Sequence, residues 1–316
     1  MTQVQFLKVD ETHKIAYETI GSRQGIPVVF LHGGPGSGYS EASKSFFDTN
    51  RWFATFIDQR GCGKSTPNGC VIHNTTDDLV LDIEKIRKKI GLDKWVIFGG
   101  SWGSTLALKY AMNFPEKVHA LILRGVFLGT KKEIDWFVND MGRQKFPNTF
   151  ADLHKIVPKD MNILEYYHNT IFGEDRIKSI DATQRWVNLE RAGIQLSEEN
   201  LRLKGSAPEQ TVKKEVTISE VKALNRMRIH LHYLKNNCFL RDDELIQNCN
   251  ILGEKKVIII QGSEDPICPK KNALKLHSHL KNSEIELVKN AGHDAFSPKL
   301  KNALTNALEK VRIELS

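Results

Sequence analysis

WVIFGGSWGSTLALKYAMNFP, residues 95–115, passes from an apolar run through a crowd of glycines to an amphipathic run that stops at a proline. Trp95 to Phe98 has the composition of a buried strand, and TLALKYAMNF has helical spacing ending before Pro115. Between them, Gly99-Gly100-Ser101-Trp102-Gly103 fits G-x-S-x-G, in which a sharp strand-to-helix turn lifts a serine hydroxyl into the open. Such a short pattern also arises by composition alone, so the flanking strand and helix give it weight. The alternative is a tight turn kept for packing.

Outward from this turn, apolar runs at 4–9, 14–20, 27–31, 52–58, 94–98, 119–124, 256–261 and 284–288 predict eight strands. The first two suit an antiparallel start. The later ones alternate with helical patterns, which predicts a mostly parallel sheet with helices on both faces. A helix is expected over about 75–90, opened by the hydroxyls and acids of HNTTDD, carrying Leu79, Ile83, Ile86 and Ile90 on one face and stopped by Gly91. Strand-like runs vanish from 129 to 250, a polar helical stretch with spaced aromatics, and resume at Lys256. This divides the chain into a sheet-bearing core, 1–128 and 251–316, and an inserted helical module, 129–250, within which the polar 197–218 forms an exposed excursion.

Composition narrows the function. The 316 residues carry a net charge of +7, but the lysines come as scattered pairs among acids, which suits a solvated surface better than a nucleic-acid face. Apolar runs such as Val257–Ile260 are too short to span a bilayer, and MTQVQFLKVDETHK has no apolar signal region, so a soluble cytoplasmic protein without a membrane partner is expected. Five cysteines without a C-x-x-C pair predict reduced thiols and no metal site. Cys268, three residues past Asp265, is the thiol placed to lie near a site. DQRGCGKST, residues 58–66, resembles a phosphate loop only until Asp58, where that motif needs glycine.

A serine needs a base, a group that orients the base, and donors for the oxyanion. In the strand-turn-helix arrangement the acid and then the histidine follow the serine, each just past a strand. VIIIQGSEDPICP supplies Asp265, with Glu264 as its rival, and IELVKNAGHDAF supplies His293, preceded by Gly292 for a sharp bend. Ser101, His293 and Asp265 are thus the candidate nucleophile, base and orienter. The oxyanion donors are the backbone N–H of Trp102 and, from the glycine-rich FLHGGPGSGY after the third strand, that of Gly34.

HGGPGSG (32–38), DQRGCGKSTP (58–67), NTTDDLVLDIEKIR (74–87), GGSWGSTLAL (99–108), RGVFL (124–128), Asp265 and AGH (291–293) together resemble the proline iminopeptidase family of α/β-hydrolases, in order and over nearly the whole chain. The resemblance implies the α/β-hydrolase fold, with an eight-stranded mostly parallel sheet and an inserted helical cap. It implies a serine exopeptidase that releases N-terminal proline from short peptides through an acyl-enzyme and needs no cofactor. Phe127 and Phe137 match the family's apolar pocket. The cap's W-x-x-W-E segment corresponds to RWVNLE, which carries over Trp186 and Glu190, with Leu189 in place of the second tryptophan. Where the family's R-I-E-x-H-Y has its acid, this chain has His230, a poorer partner for a substrate cation unless another cap acid such as Glu198 or Glu199 compensates. The neighbouring reading is an esterase, lactonase or amino-acid amidase with the same triad acting on small esters or amides. The remote one is an idle hydrolase fold that binds a ligand. No oligomeric state is implied.

Overall fold

The computed structural model describes residues 3–195 and 216–315. Eight strands form one sheet: β1 Gln5–Lys8, β2 Lys14–Ile20, β3 Ile26–Leu31, β4 Trp52–Ile57, β5 Trp95–Gly100, β6 Val118–Arg124, β7 Lys256–Gly262 and β8 Ser283–Val288. Their order is β1-β2-β4-β3-β5-β6-β7-β8. β2 is antiparallel to β1 and to β4, and every other pairing is parallel. All eight expected strands are present, with β5 running on through Gly99 and Gly100.

Strand alternation divides the core between the two faces of the sheet. Val29, Leu31, Trp95, Ile97, Leu121, Leu123, Val257 and Ile259 face one cluster, packed with α1 (Thr76–Lys89) and α2 (Trp102–Asn113). Val28, Val96, Phe98, Ala120, Ile122, Ile258 and Ile260 face the other, where Phe46 and Phe47 also pack. In α1 the Thr75 hydroxyl accepts the Asp78 amide and the Asp78 carboxylate accepts the Thr75 amide. Three basic residues close the helix before Gly91, at φ +73°, which agrees with the sequence-based boundaries.

Between β6 and β7 the described residues form helices and no strand: α3 (Lys131–Asp135), α4 (Gly142–Lys145), α5 (Pro147–His154), α6 (Ile163–Phe172), α7 (Arg176–Gln195), α8 (Ile218–Lys235) and α9 (Glu244–Gln247). From α3 to α4 the chain widens into a π-helical turn, Trp136–Met141. α10 (Lys270–His279) and α11 (Pro298–Leu315) complete the core. Among the described residues no helix is long and apolar enough to cross a membrane. Residues 197–215 of the polar excursion, with Glu198 and Glu199, lie outside the described residues.

The strand order matters for function. The chain lays β4 on one side of β3 and β5 on the other, so the connections leaving the carboxyl ends of β3 and β5 diverge and leave a crevice. The register sets Leu31 against Gly99, so the HGGPGSG loop emerges beside Ser101.

Candidate active site

Ser101 has φ +56° and ψ −127°, backbone angles that side-chain-bearing residues rarely adopt. Glycines on either side make this turn sterically feasible. A Cβ on Gly99 would come within 2.2 Å of the Gly103 carbonyl oxygen, and one on Gly103 within 2.1 Å of that of Leu31. The turn is also held by hydrogen bonds: the Ser101 amide donates to the Arg124 carbonyl at 2.8 Å, and the Ser104 hydroxyl to the Ser101 carbonyl at 2.6 Å.

β7 and β8 deliver the other two groups. Asp265 lies in the loop after β7, and its Oδ1 accepts the amides of Ile267 (3.0 Å) and Cys268 (2.9 Å). Its Oδ2 lies 2.7 Å from His293 Nδ1. The rival Glu264 is exposed, and its Oε1 accepts the neighbouring Ser263 hydroxyl. His293 follows β8, but the left-handed residue of that turn is Asn290, at φ +56°, rather than Gly292, whose φ is not positive. An amide side chain that tolerates this conformation does the work assigned to glycine.

His293 Nε2 faces Arg124, whose Nη1 is 3.2 Å away and also donates to the His293 carbonyl at 3.0 Å. A guanidinium only donates, so Nε2 must present its lone pair and Nδ1 must carry the proton toward Asp265. That is the tautomer a general base requires. Burial lowers the Arg124 pKa, against the opposing charge of Asp265. Among the described residues no hydrogen bond joins Ser101 to His293, although both line the same cavity. Catalytic hydrogen bonds are often loose without substrate.

That cavity, about 460 Å³, is the size of a small-ligand site. Gly34, Ser101, Phe127, Phe137, Glu190 and His230 line it. Among the described residues the backbone amides of Gly34 and Trp102 donate to no protein acceptor, as oxyanion donors must not. The Trp102 ring is elsewhere: it is fully buried against Tyr233 at 4.8 Å, and Nε1 donates to Gln59 Oε1 at 2.8 Å. It therefore does not floor a substrate pocket. Trp186 is also absent from the lining; wholly buried, it packs behind Phe137 and His230, with ring centroids 6.3 and 6.0 Å away.

On α7, Glu190 is already paired: Arg226 Nη2 lies 2.7 Å from its Oε2, and His230 Nε2 lies 3.5 Å from its Oε1. His230 is buried, and desolvation lowers its pKa against the pull of Glu190, so the ring is neutral at pH 7. Cys268 lines the cavity beside the Ser101 hydroxyl, and burial, reinforced by the charge of Asp265, raises its pKa well above the usual thiol value. It is a thiol rather than a rival nucleophile.

An alpha/beta hydrolase fold model matches residues 26–300. The proline iminopeptidase of Arabidopsis thaliana is 37% identical over 310 residues, covering 97% of this chain and 79% of that protein. The chain belongs to the proline iminopeptidase family of α/β-hydrolases. A probable proline iminopeptidase of Leptolyngbya boryana is 38% identical, with 98% and 94% covered. The Mycobacterium smegmatis proline iminopeptidase structure superimposes at TM-score 0.67 with 16% identity, covering 99% of this chain and all of that one. An esterase from Exiguobacterium antarcticum gives 0.59 and 20%, covering 98% and 100%. At such identities these structures speak for the fold alone.

Sequence reasoning missed several groups at this proline iminopeptidase-like site. His32 Nε2 accepts the Gln59 amide at 3.1 Å, Gln59 Nε2 donates to the His32 carbonyl at 3.0 Å, and Gln59 holds the Trp102 indole. This buried chain ties the HGGPG loop to the serine turn. In the DQRG segment the Asp58 carboxylate accepts the amides of Tyr39 (3.0 Å) and Lys64 (2.8 Å), which makes it a loop clasp. The motif's coherence was legible, but its hydrogen-bond partners were not. Arg124 was legible only as part of RGVFL, with no sign of its contact with His293, and Arg226 had no sequence signal beyond its charge.

Proposed function

We propose that this protein is a prolyl aminopeptidase-type serine hydrolase in which Ser101 is the nucleophile, His293 the general base and Asp265 its orienter. The core of 1–128 and 251–316 carries the chemistry, and the helices of 129–250 act as a cap. The observation that carries the reading is the delivery of Ser101 and the 2.7 Å His293–Asp265 pair, from three separate strand ends, to one cavity.

In the proposed cycle, substrate lies against Phe127 and Phe137, and His293 Nε2 exchanges Arg124 for the Ser101 hydroxyl. Ser101 Oγ attacks the first carbonyl as its proton passes to Nε2, and the Gly34 and Trp102 amides hold the oxyanion. The C–N bond then breaks, and His293 returns the proton to the departing amine. Water, deprotonated by the same imidazole, releases the acid from Ser101. Asp265 stabilises the imidazolium in both halves.

A fluorophosphonate probe and a set of short arylamides test this reading. Labelling confined to Ser101, with arylamide release lost in Ser101→Ala, is the expected result. A Ser101→Ala protein that still turns over arylamide would remove the mechanism.

A further inference from the structure

The cavity runs over the carboxyl edge of the sheet and joins its two faces. Phe137 and Leu234 belong to the apolar cluster that packs α1 and α2, and Phe127 packs against it. Phe46 and Phe98, which also line the cavity, belong to the cluster on the other face, with Phe30 packed against them. Ser101 lies between, at the end of β5. Phe30 sits in a strand flanked by others on both sides, yet its side chain stays partly exposed, and it lines this second end. Phe296, 40% exposed, completes the end at 5.3 Å from the Phe46 ring, which lies 5.3 Å from that of Phe98.

The return of the proton decides which half of a substrate each end takes. In the proposed cycle His293 protonates the departing amine, so that nitrogen must come within about 3 Å of Nε2. Residues 294–296, which follow His293 directly, line the second end. With the acyl half against Phe127 and Phe137, the second end is left to the departing half.

Arg124 gives that end a charge. Ala120 and Ile122 of β6 face the Phe98 cluster, and two residues further on the Arg124 side chain emerges on the same face. It lies across the serine strand: a Cβ on Gly100 would meet its Nη2 at 2.7 Å and its Nε at 2.9 Å. Among the described residues Nη1 reaches the carbonyl and Nε2 of His293, and no carboxylate forms an ion pair with the guanidinium. Asp294 accepts the Phe296 amide, and Asp265 is taken by His293 and two amides. A partly buried cation without an anion is costly, and this one lines the cavity. The α-carboxylate of an amino acid hangs from its nitrogen by two bonds of about 1.5 Å each. Because Arg124 Nη1 is 3.2 Å from Nε2, an amine poised on His293 brings its own carboxylate within reach of the guanidinium.

We propose that this second end receives the amino acid that follows the scissile bond, with Arg124 holding its free α-carboxylate and Phe30, Phe46 and Phe296 its apolar side chain. Dipeptides that begin with proline and end in a large apolar residue are then the favoured substrates. This rests on the serine-hydrolase reading above and names the departing half of its substrate.

The test compares kcat/KM for proline release from prolylphenylalanine, its C-terminal amide and prolylglycine at pH 7.5. Prolylphenylalanine is expected to lead its amide by about tenfold or more, since the amide forfeits the charged pair. It should lead prolylglycine by about tenfold, since glycine leaves the aromatic end empty. An amide equal to or ahead of the free acid overturns the proposal, as does prolylglycine equal to or ahead of prolylphenylalanine. Cleavage of prolyl 4-nitroanilide without either ranking would leave the hydrolase standing, whereas cleavage of none of these compounds brings down the wider reading as well. Arg124→Met should bring the acid-to-amide ratio to about one, chiefly through KM, and Phe296→Ala should shrink the phenylalanine-to-glycine ratio. An unchanged ratio in a folded variant also overturns the proposal, and the wild-type ranking decides the matter should a variant fail to fold.

Discussion

The two halves of the cavity are built on different principles. On the sheet side, Ser101, Asp265 and His293 sit where strands end, and the serine turn is enforced by backbone that has no room for change: Gly99 and Gly103 would collide with carbonyl oxygens if they gained one carbon. On the opposite side, Glu190 on α7 and Arg226 and His230 on α8 meet through side chains alone. One side is fixed by the main chain and the other by replaceable side-chain tips. A sheet half of this kind can be shared by hydrolases of unlike specificity while the helical half facing it is rewritten one residue at a time.

Substitutions should expose this asymmetry. Removing the proposed nucleophile in Ser101→Ala should cut arylamide kcat by more than about a thousandfold with unchanged far-ultraviolet circular dichroism. Asp265→Asn should cost about a thousandfold in kcat, since the wrong tautomer of His293 would be favoured; steady-state kinetics reads it directly. Gly103→Ala attacks the same half through packing. With its Cβ 2.1 Å from the Leu31 carbonyl oxygen, a loss of about 3 kcal/mol or more is expected in urea unfolding, and near-native stability would break the contrast. Glu190→Gln, by comparison, should shift KM by only about tenfold and leave the melting temperature within a few degrees.

The smallest expected effect is on stability with pH. Burial lowers the pKa of His32 and of His230 below the ordinary histidine value of 6.5, so both fold as neutral rings. Their contribution is present above that value and is lost as pH falls through their lower folded pKa values. The melting temperature should therefore drop by a few degrees between pH 7.5 and 5.0. The drop should be smaller in His230→Gln, measured by scanning calorimetry.

How far the sequence carried can be traced to particular residues. The central strands were legible because they are buried on both faces and read as bounded apolar runs, and the exposed edge strands β1 and β8 by their short apolar stretches between polar residues. The serine turn was legible because glycine is the residue its backbone demands. Arg226 and Glu190 lie 36 residues apart on two helices, and no local pattern records that they touch. Trp186 was carried over with Glu190 by the resemblance, but burial behind the first layer of side chains is a property of three-dimensional packing. Gly292 looked like a hinge, whereas Asn290 had the tolerance to take that place.

One contact bears on how substrate can reach the site. Helix α8 is bolted to the core: the Tyr233 hydroxyl donates to Asn74 Oδ1 at 2.8 Å, His232 Nε2 meets the Asn74 carbonyl at 2.9 Å, and the Tyr233 ring lies against Trp102. Arg226 and His230 are thereby mounted on the same rigid frame as the Ser101 turn. Swinging α8 outward would break both Asn74 contacts and strip the Trp102 ring of its Tyr233 neighbour, so this helix and the serine turn move as one piece.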